Sequence, residues 1–559
     1  MTTRSTRLKI LFVLALGAAL LLAACGPAAT TAPVATTAPV GAATTAPAGA
    51  ATTAPAGAAT AGATAKPATT TAAAGGKVLH MARNAEPFSP FVPWQIDDNP
   101  CLFISVNVYD TLLRTTKDGM SVEPGLADKW ESTPDGLTWT FHLHPGVKFS
   151  DGTAMKASDV KASIDMVRSG TKSAWADSYK AIKDTQAVDD VTFKITLSQP
   201  HAPLLSELAM FPAAVLPADL ATASDAKDFD NAKAWVTRGT GAYSVNGWSK
   251  GSLLVLKRNP NYWKGTPAID EVDIEYIPDD NTRLLKLQGG QTDIIDFVPL
   301  SQISALSAQP NIKAQAFPIQ QFTNVILNVT KKGLDDVKIR QALNYATDKD
   351  AIIKTVYFGQ AKPMNSPIPQ GTYWDKNLPG YPYDLAKAQQ LMKESSSPNG
   401  VTIDMLLRSG NTDHSNIATI LKDEWAKIGV TLNLQSLDTA VVRTNYRAGD
   451  YMSTIAGWTN DMNDPTEIAN YEMRGGASPF AYWTRYNDPA VNAKITAADL
   501  EQDPAKRGVL YAELQKTYLD AAPFIFLVYN PATAAWRSNV SGFLIDGLSY
   551  YRFEDVKLN

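Results

Sequence analysis

VTIDMLLRSGNTDHSNIATILKDEWAKIGVTLNLQSL, residues 401–437, decides the fold class. VTIDMLL is an apolar extended run. SNIATILKDEWAKI places Ile417, Ile420, Leu421 and Ile428 on one stripe of a helix, Gly429 stops that helix, and VTLNLQSL extends again. Parallel strands need a crossover of roughly a dozen residues or more, so strand, helix, strand at this spacing predicts a parallel βαβ unit. The alternation continues outward on the amino-terminal side. Asp335-Asp336 starts the helix VKIRQALNYA, Asp348 caps a second one ending at Gly359, and Asp384 caps LAKAQQLMKES. Further back, KVLHMAR is a strand that runs into the proline-rich loop NAEPFSPFVPW. Pro134-Asp135-Gly136 turns the chain into the alternating strand TWTFHLH, and Ser158 or Asp159 caps the following helix. Residues Gly241 to Trp263, GAYSVNGWSKGSLLVLKRNPNYW, form a second hairpin.

The chain has 559 residues, 45% hydrophobic and 19% charged, which is globular composition with a large core. At about 100 to 200 residues per domain it holds two to four domains. Arg4, Arg7 and Lys9 precede ILFVLALGAALLL, a run too short to span a bilayer, so residues 1–24 read as a secretion signal. The signal ends in Leu22-Ala23-Ala24-Cys25-Gly26, which resembles the lipobox of bacterial lipoproteins and implies lipidation of Cys25. Cys101 is the other cysteine, so with Cys25 acylated no internal disulfide forms, and Cys101 is expected to be a buried small hydrophobe. From Gly26 to Gly76 the chain is almost entirely Ala, Thr, Pro and Gly, with TTAP beginning at Thr30, Thr36, Thr44 and Thr52. Such a segment cannot bury a core, so residues 25–76 read as a disordered tether spanning on the order of 40 Å. The formal net charge is -4, and the signal removes only basic residues, so nothing points to nucleic acid.

Catalytic patterns are weak. Gly247-Trp248-Ser249-Lys250-Gly251 fits G-x-S-x-G, but that elbow requires a strand running into a helix, and here the apolar strand SLLVLKRN follows. Asp151-Gly152-Thr153 lacks the residue order of an aspartic protease. His142 and His144 share a strand face without a third ligand nearby. The reading is a protein that is not an enzyme and takes no cofactor or metal of its own.

The segment Gly457 to Ala469, GWTNDMNDPTEIA, carries three aspartates and follows the strand YMSTIAGW. Asp464 reads as an N-cap, with Pro465 at the first helical position and Glu467 closing a capping box. Asn463 turns the chain. That leaves Asp461 just past the carboxyl end of a strand, the edge where ligands bind in open α/β sheets. Arg408 ends VTIDMLL and faces the same edge if the two strands run parallel.

VYDTLLRTTKDGMSVEPGLADKWESTPDGLTWTFHLHPGVKFSDGTAMKASDV, RGTGAYSVNGW with LKRNPNYW, and DDVKIRQALNYATDKDAIIKTVYFGQAKP together resemble the extracytoplasmic solute-binding proteins of peptide and nickel ABC importers. The resemblance covers nearly all of residues 77–559. It implies an α/β, two-lobed periplasmic-binding-protein fold with hinged lobes. By that resemblance, lobe I is residues 77–108, 237–329 and 524–559, an inserted subdomain is 109–236, and lobe II is 330–523. In peptide-binding members the pattern matching Trp458-Thr459-Asn460-Asp461 supplies the carboxylate that holds a peptide's α-ammonium. The arginine matching Arg408 pairs with the peptide carboxylate. The loop Asn84, Ala85, Glu86, Pro87 and Phe88 would offer backbone groups from lobe I, and Trp458 and Trp374 would wall the pocket. The bland alternatives are a surface-loop aspartate, an exposed strand-end arginine and core tryptophans. The implied function is the substrate-binding component of an ABC importer, monomeric and lipid-anchored on the extracytoplasmic face, passing short peptides to a permease and its ATPase. Alternatives are a sugar, an opine-like conjugate or a metal chelate as the solute, or an exported hydrolase.

Overall fold

The computed structural model describes residues 76–96, 98–170, 172–222, 233, 237–476 and 484–559. The signal, the tether except Gly76, and Cys25 lie outside the described residues. Two large sheets organise the rest. The first has seven strands in the order Ile312–Phe317, Ala532–Arg537, Ile294–Asp296, Val78–Arg83, Glu271–Tyr276, Leu253–Arg258 and Tyr243–Ser249. Val78–Arg83 runs parallel to both of its neighbours, and the outer pairings are antiparallel.

The second sheet has six strands in the order Lys362–Pro363, Phe524–Tyr529, Gln321–Leu327, Ser453–Thr459, Val401–Arg408 and Val430–Leu437. Its last pair is the βαβ unit read from the sequence. Val401–Arg408 lies parallel to Val430–Leu437, from Val401 opposite Val430 to Arg408 opposite Leu437, and the helix Thr412–Ala426 crosses between them. Ile417, Leu421 and Trp425 on that helix pack with Ile339 and Leu343 against one face of the sheet. Tyr511, Leu514 and Tyr518 of the helix Pro504–Ala521 cover the other face.

This double covering corrects the expected boundaries. Gln321–Leu327 and Phe524–Tyr529, assigned to lobe I from sequence, pair in the second sheet. Phe524–Tyr529 is buried at every position, and Gln321–Leu327 at every position after Gln321. Strands covered on both faces carry near-continuous apolar runs, so these two belong in the middle of a layered sheet. The chain therefore changes sheets between Phe317 and Gln321 and again between Tyr529 and Ala532.

A separate four-stranded antiparallel sheet, Ala127–Ser132, Thr138–Leu143, Thr192–Leu197 and Ile182–Ala187, lies within residues 109–236. Phe141, Phe193 and Ile195 from it join Leu79 and Met81 of the first sheet in one core. Cys101 is buried in that same core, its thiol donating to the Pro90 carbonyl at 3.7 Å. The helix Ala157–Val167 has neither Ser158 nor Asp159 as its cap. Lys156 stands at the cap position, and Asp159 at the third helical position accepts the Lys156 backbone N–H at 2.8 Å. In the second hairpin, Gly247 and Ser249 belong to the strand Tyr243–Ser249, and the turn proper falls at Lys250 to Ser252, where Gly251 has φ +76°. No helix follows Ser249, so the serine is not raised on an elbow. His142 faces Glu131 at 3.4 Å and His144 the carbonyl of Pro145, so the two imidazoles have different partners.

Candidate functional site

Ser453–Thr459 and Val401–Arg408 are parallel, with Met405 opposite Ser453 and Leu406 opposite Thr454. Their carboxyl ends therefore meet one edge of the second sheet, and Arg408, Thr459 and Asp461 gather there. Beyond that edge a cavity of about 520 Å³ separates the sheets. Arg408, Gly457 and Thr459 line it from the second sheet, and Asp296, Phe297 and Tyr551 line it from the first.

Arg408 is half-buried, and its side chain makes no hydrogen bond or ion pair among the described residues; Nε is buried without a partner. Burial lowers its pKa, with the charge of Arg443 acting in the same direction. Beside it begins the helix Thr412–Ala426, whose amino end carries partial positive charge. Burial and the charge of Arg408 push His414 down to about 4, leaving it neutral with Nδ1 unpartnered. Asp413, raised by burial, shares the wall. The result is a desolvated guanidinium fork lacking a carboxylate, a group suited to bidentate pairing with an anionic ligand.

Asp461 lines a smaller cavity of about 160 Å³, and Asn99 lines both cavities, so the two adjoin. Aromatic rings box this second space. Trp458 stacks on Tyr471 with centroids 6.2 Å apart, and Trp175 meets Tyr471 and Phe211 edge-on. Burial raises the Asp461 carboxyl to about 7, opposed by the Tyr550 hydroxyl, which also donates to the Asp461 carbonyl at 3.0 Å. Glu467 is also raised well above the usual carboxylate range, by burial and then by the charge of Asp461, while its Oε2 accepts the backbone N–H groups of Asp461 and Met462 at 2.9 and 3.1 Å. The site thus holds two desolvated carboxyls, an arrangement that a ligand cation relieves.

The structure brings together Asp461, Arg408, Trp458 and Thr459, and leaves the other sequence candidates elsewhere. Asn460 is 1% exposed and turned into the sheet crossover, donating from its backbone and its side-chain amide to Gln320. Trp374 packs edge-on against Tyr529 and donates to Asn365, so it belongs to the core of the second sheet. Glu86 accepts the Gly251 N–H at 2.7 Å, tying its loop to the hairpin turn. Phe88 is exposed, and none of Asn84, Ala85, Glu86 or Phe88 lines either cavity. Asp464 is structural by a different route from the one expected. It accepts the Thr466 N–H at 2.9 Å and forms a buried two-pronged pair with Arg507. Glu467 reaches back to Asp461 and Met462 instead of Asp464, so the capping box does not close, and the helix runs as an α turn over Thr466–Ile468 and then as a π-helix over Ala469–Met473. Trp175, Phe211, Tyr471 and Tyr551 escaped sequence reading, because each reaches the cavities from a segment remote in sequence and none sits in a motif.

Residues 121–479 match the family described as bacterial extracellular solute-binding proteins, family 5. The chain belongs to that family. The solute-binding protein is 30% identical to the dipeptide-binding protein of Escherichia coli over 82% of this chain and 92% of that one. It is 29% identical to heme-binding protein A of Haemophilus influenzae, over 81% and 87%. Among solved structures it resembles the periplasmic binding protein DppA of Helicobacter pylori in complex with the peptide STSA, at 28% identity and TM-score 0.74, covering 86% and 98%. The two-lobed fold is that of the family, and the chain is an extracellular solute-binding protein of the kind associated with ABC transporters. No helix among the described residues is long and apolar enough to cross a membrane.

Proposed function

We propose that the solute is a short peptide, held as a zwitterion with its α-ammonium on Asp461 and its carboxylate on Arg408. One observation carries this reading: an unpaired half-buried guanidinium and a half-buried carboxyl stand at one sheet edge in adjoining cavities. A neutral sugar would leave both unused. Aromatic walls around Asp461 give contact area without requiring one particular side chain. We further infer that Cys25 carries the lipid anchor and that the protein works as a monomer on the extracytoplasmic face. Peptide binding draws the lobes together because only the closed form touches the ligand from both sides.

Calorimetry of one short peptide in free, amino-acetylated and carboxy-amidated forms tests the substrate. The free peptide binds, each cap weakens it, and Arg408→Ala loses affinity for the free peptide while sparing the amidated one. Equal affinity of the wild type for all three forms would sink the assignment. The anchor is tested separately: Cys25→Ser leaves the protein out of the membrane fraction, and its retention there after signal removal would contradict the lipid.

A further inference from the structure

A third cavity, of about 440 Å³, lies in the first lobe and shares no lining residue with the two in the cleft. Its walls come from the strand Leu113–Thr115, the loop from Tyr262 to Pro267, and the carboxyl-terminal segment Gly542 to Asp555. Charge crowds here. Arg114 pairs with Glu554 at 2.8 Å, the Tyr262 hydroxyl donates to the same carboxylate, and at the rim Lys117 pairs with Asp555 at 2.6 Å. Asp546 is occupied by the backbone N–H groups of Leu548 and Tyr550, at 3.0 and 2.8 Å. Two cations remain without a carboxylate within ion-pair distance among the described residues. Arg552 donates only to the Val106 carbonyl, at 2.6 Å, and the Lys264 ammonium lies over the Trp263 ring at 5.1 Å. Burial and then the charge of Arg114 hold Arg552 below its usual range. Although burial opposes it, the surrounding cations hold Glu554 at about 2. The Glu554 carboxylate thus stands among Arg114, Arg552 and Lys264, and the other acids on the wall are Asp546, Asp555 at the rim and exposed Glu123.

We propose that this cavity is a second ligand site, for a small organic oxyanion whose phosphate or carboxylate group pairs with Arg552 and Lys264. A guanidinium and an ammonium side by side suit such a group, the first as a planar fork and the second as a point charge. The volume falls within the roughly 300 to 1,000 Å³ of small-molecule sites, more than an inorganic ion fills. The same chemistry is offered by a free metabolite and by a phospholipid headgroup, and the probes separate them.

The test is calorimetric titration of the full chain with glycerol 3-phosphate, with citrate, and with a short-chain phosphatidylglycerol kept below its micelle concentration. Lys264 is exposed and pairs with no acid, so Lys264→Gln keeps the fold, whereas Arg552 also holds a backbone carbonyl. Saturable binding of at least one probe is expected, weakened at least tenfold by Lys264→Gln and unchanged by Arg408→Ala. Binding of the phosphatidylglycerol alone, with that same dependence on Lys264, supports the site and identifies a lipid headgroup as its occupant. No saturable binding of any probe overturns the proposal. Binding that is lost in Arg408→Ala but kept in Lys264→Gln overturns it as well, because the anion then sits in the cleft.

Discussion

At the scale of single residues the two ends of the proposed ligand behave differently with pH. The folded pKa of Asp461 lies above that of an unfolded aspartate, so the native state holds an extra proton between the ordinary carboxylate range and about 7. The stability it contributes is present at low pH and is lost as pH rises through about 7; Glu467 acts in the same direction. Asp461→Asn is therefore expected to raise the melting temperature of the unliganded protein at pH 8 and change it less at pH 5. The same variant weakens binding of a free peptide by roughly 2 to 5 kcal/mol, because the ligand's ammonium is left buried without a partner. Thermal melts at both pH values and calorimetry at pH 8 check the pair of effects, and a melting temperature that falls at pH 8 would refute the desolvation argument. Arg408 has its own spectroscopic reporter. Its charge helps hold His414 near 4, so Arg408→Ala raises the His414 titration midpoint in NMR. Both charged residues were partly legible in the sequence: Arg408 ends a strand of the βαβ unit and Asp461 lies just past another, but a shared edge depended on the two strands running parallel, which the register of Met405 with Ser453 supplies. Glu467 was not: a capping-box spacing says that a carboxylate will accept backbone N–H groups, but not which ones.

At the scale of elements, legibility followed period and punctuation. The unit 401–437 reads cleanly because its strands are apolar runs, its helix has a single stripe, and Gly429 adopts φ +83° at the join. The helices starting after Asp336, Asp348 and Asp384 each have that aspartate accepting a backbone N–H, as their sequences indicate. The helix after Asp464 starts where its sequence indicates, but Asp464 does more than cap it, because a tertiary partner shares the carboxylate. Arg507, from a helix forty residues on, takes both carboxylate oxygens, with side chains 5% and 6% exposed. Removing one member of a buried pair strands the other, so Asp464→Asn is expected to cost about 3 to 5 kcal/mol in chemical denaturation, beyond the roughly 0.5 to 2 kcal/mol of a lost cap. Adding Arg507→Met to that variant restores much of the loss. A cost under about 2 kcal/mol for Asp464→Asn would mean that the ion pair contributes no more than a cap.

Across the whole molecule, both groups proposed to hold the ligand's charges stand on the second sheet, and the first lobe brings walls. The larger cavity is closed from that side by Phe297 and Tyr551, the smaller by Trp175 and Phe211 from residues 109–236. Trp175 already meets Tyr471 across the smaller cavity at 6.5 Å, and Ser178 reaches the Tyr471 hydroxyl at 3.2 Å. These long-range meetings were invisible in the sequence, because which loop faces which depends on how two sheets are joined at Phe317 to Gln321 and Tyr529 to Ala532. On the proposed function, recognition and closure would then fall to different surfaces. Trp175→Ala removes an aromatic wall but neither charge, so peptide affinity is expected to fall about tenfold, roughly 1.4 kcal/mol and of the order of one aromatic contact. The ratio of affinities for free and amino-acetylated peptide stays at its wild-type value, and the ligand-induced compaction seen by small-angle scattering shrinks. In Asp461→Asn the opposite pattern holds: the ratio collapses toward one while compaction at saturating peptide persists. A Trp175→Ala protein that no longer distinguishes free from acetylated peptide would show that the aromatic wall, and not the carboxylate, reads the amino terminus.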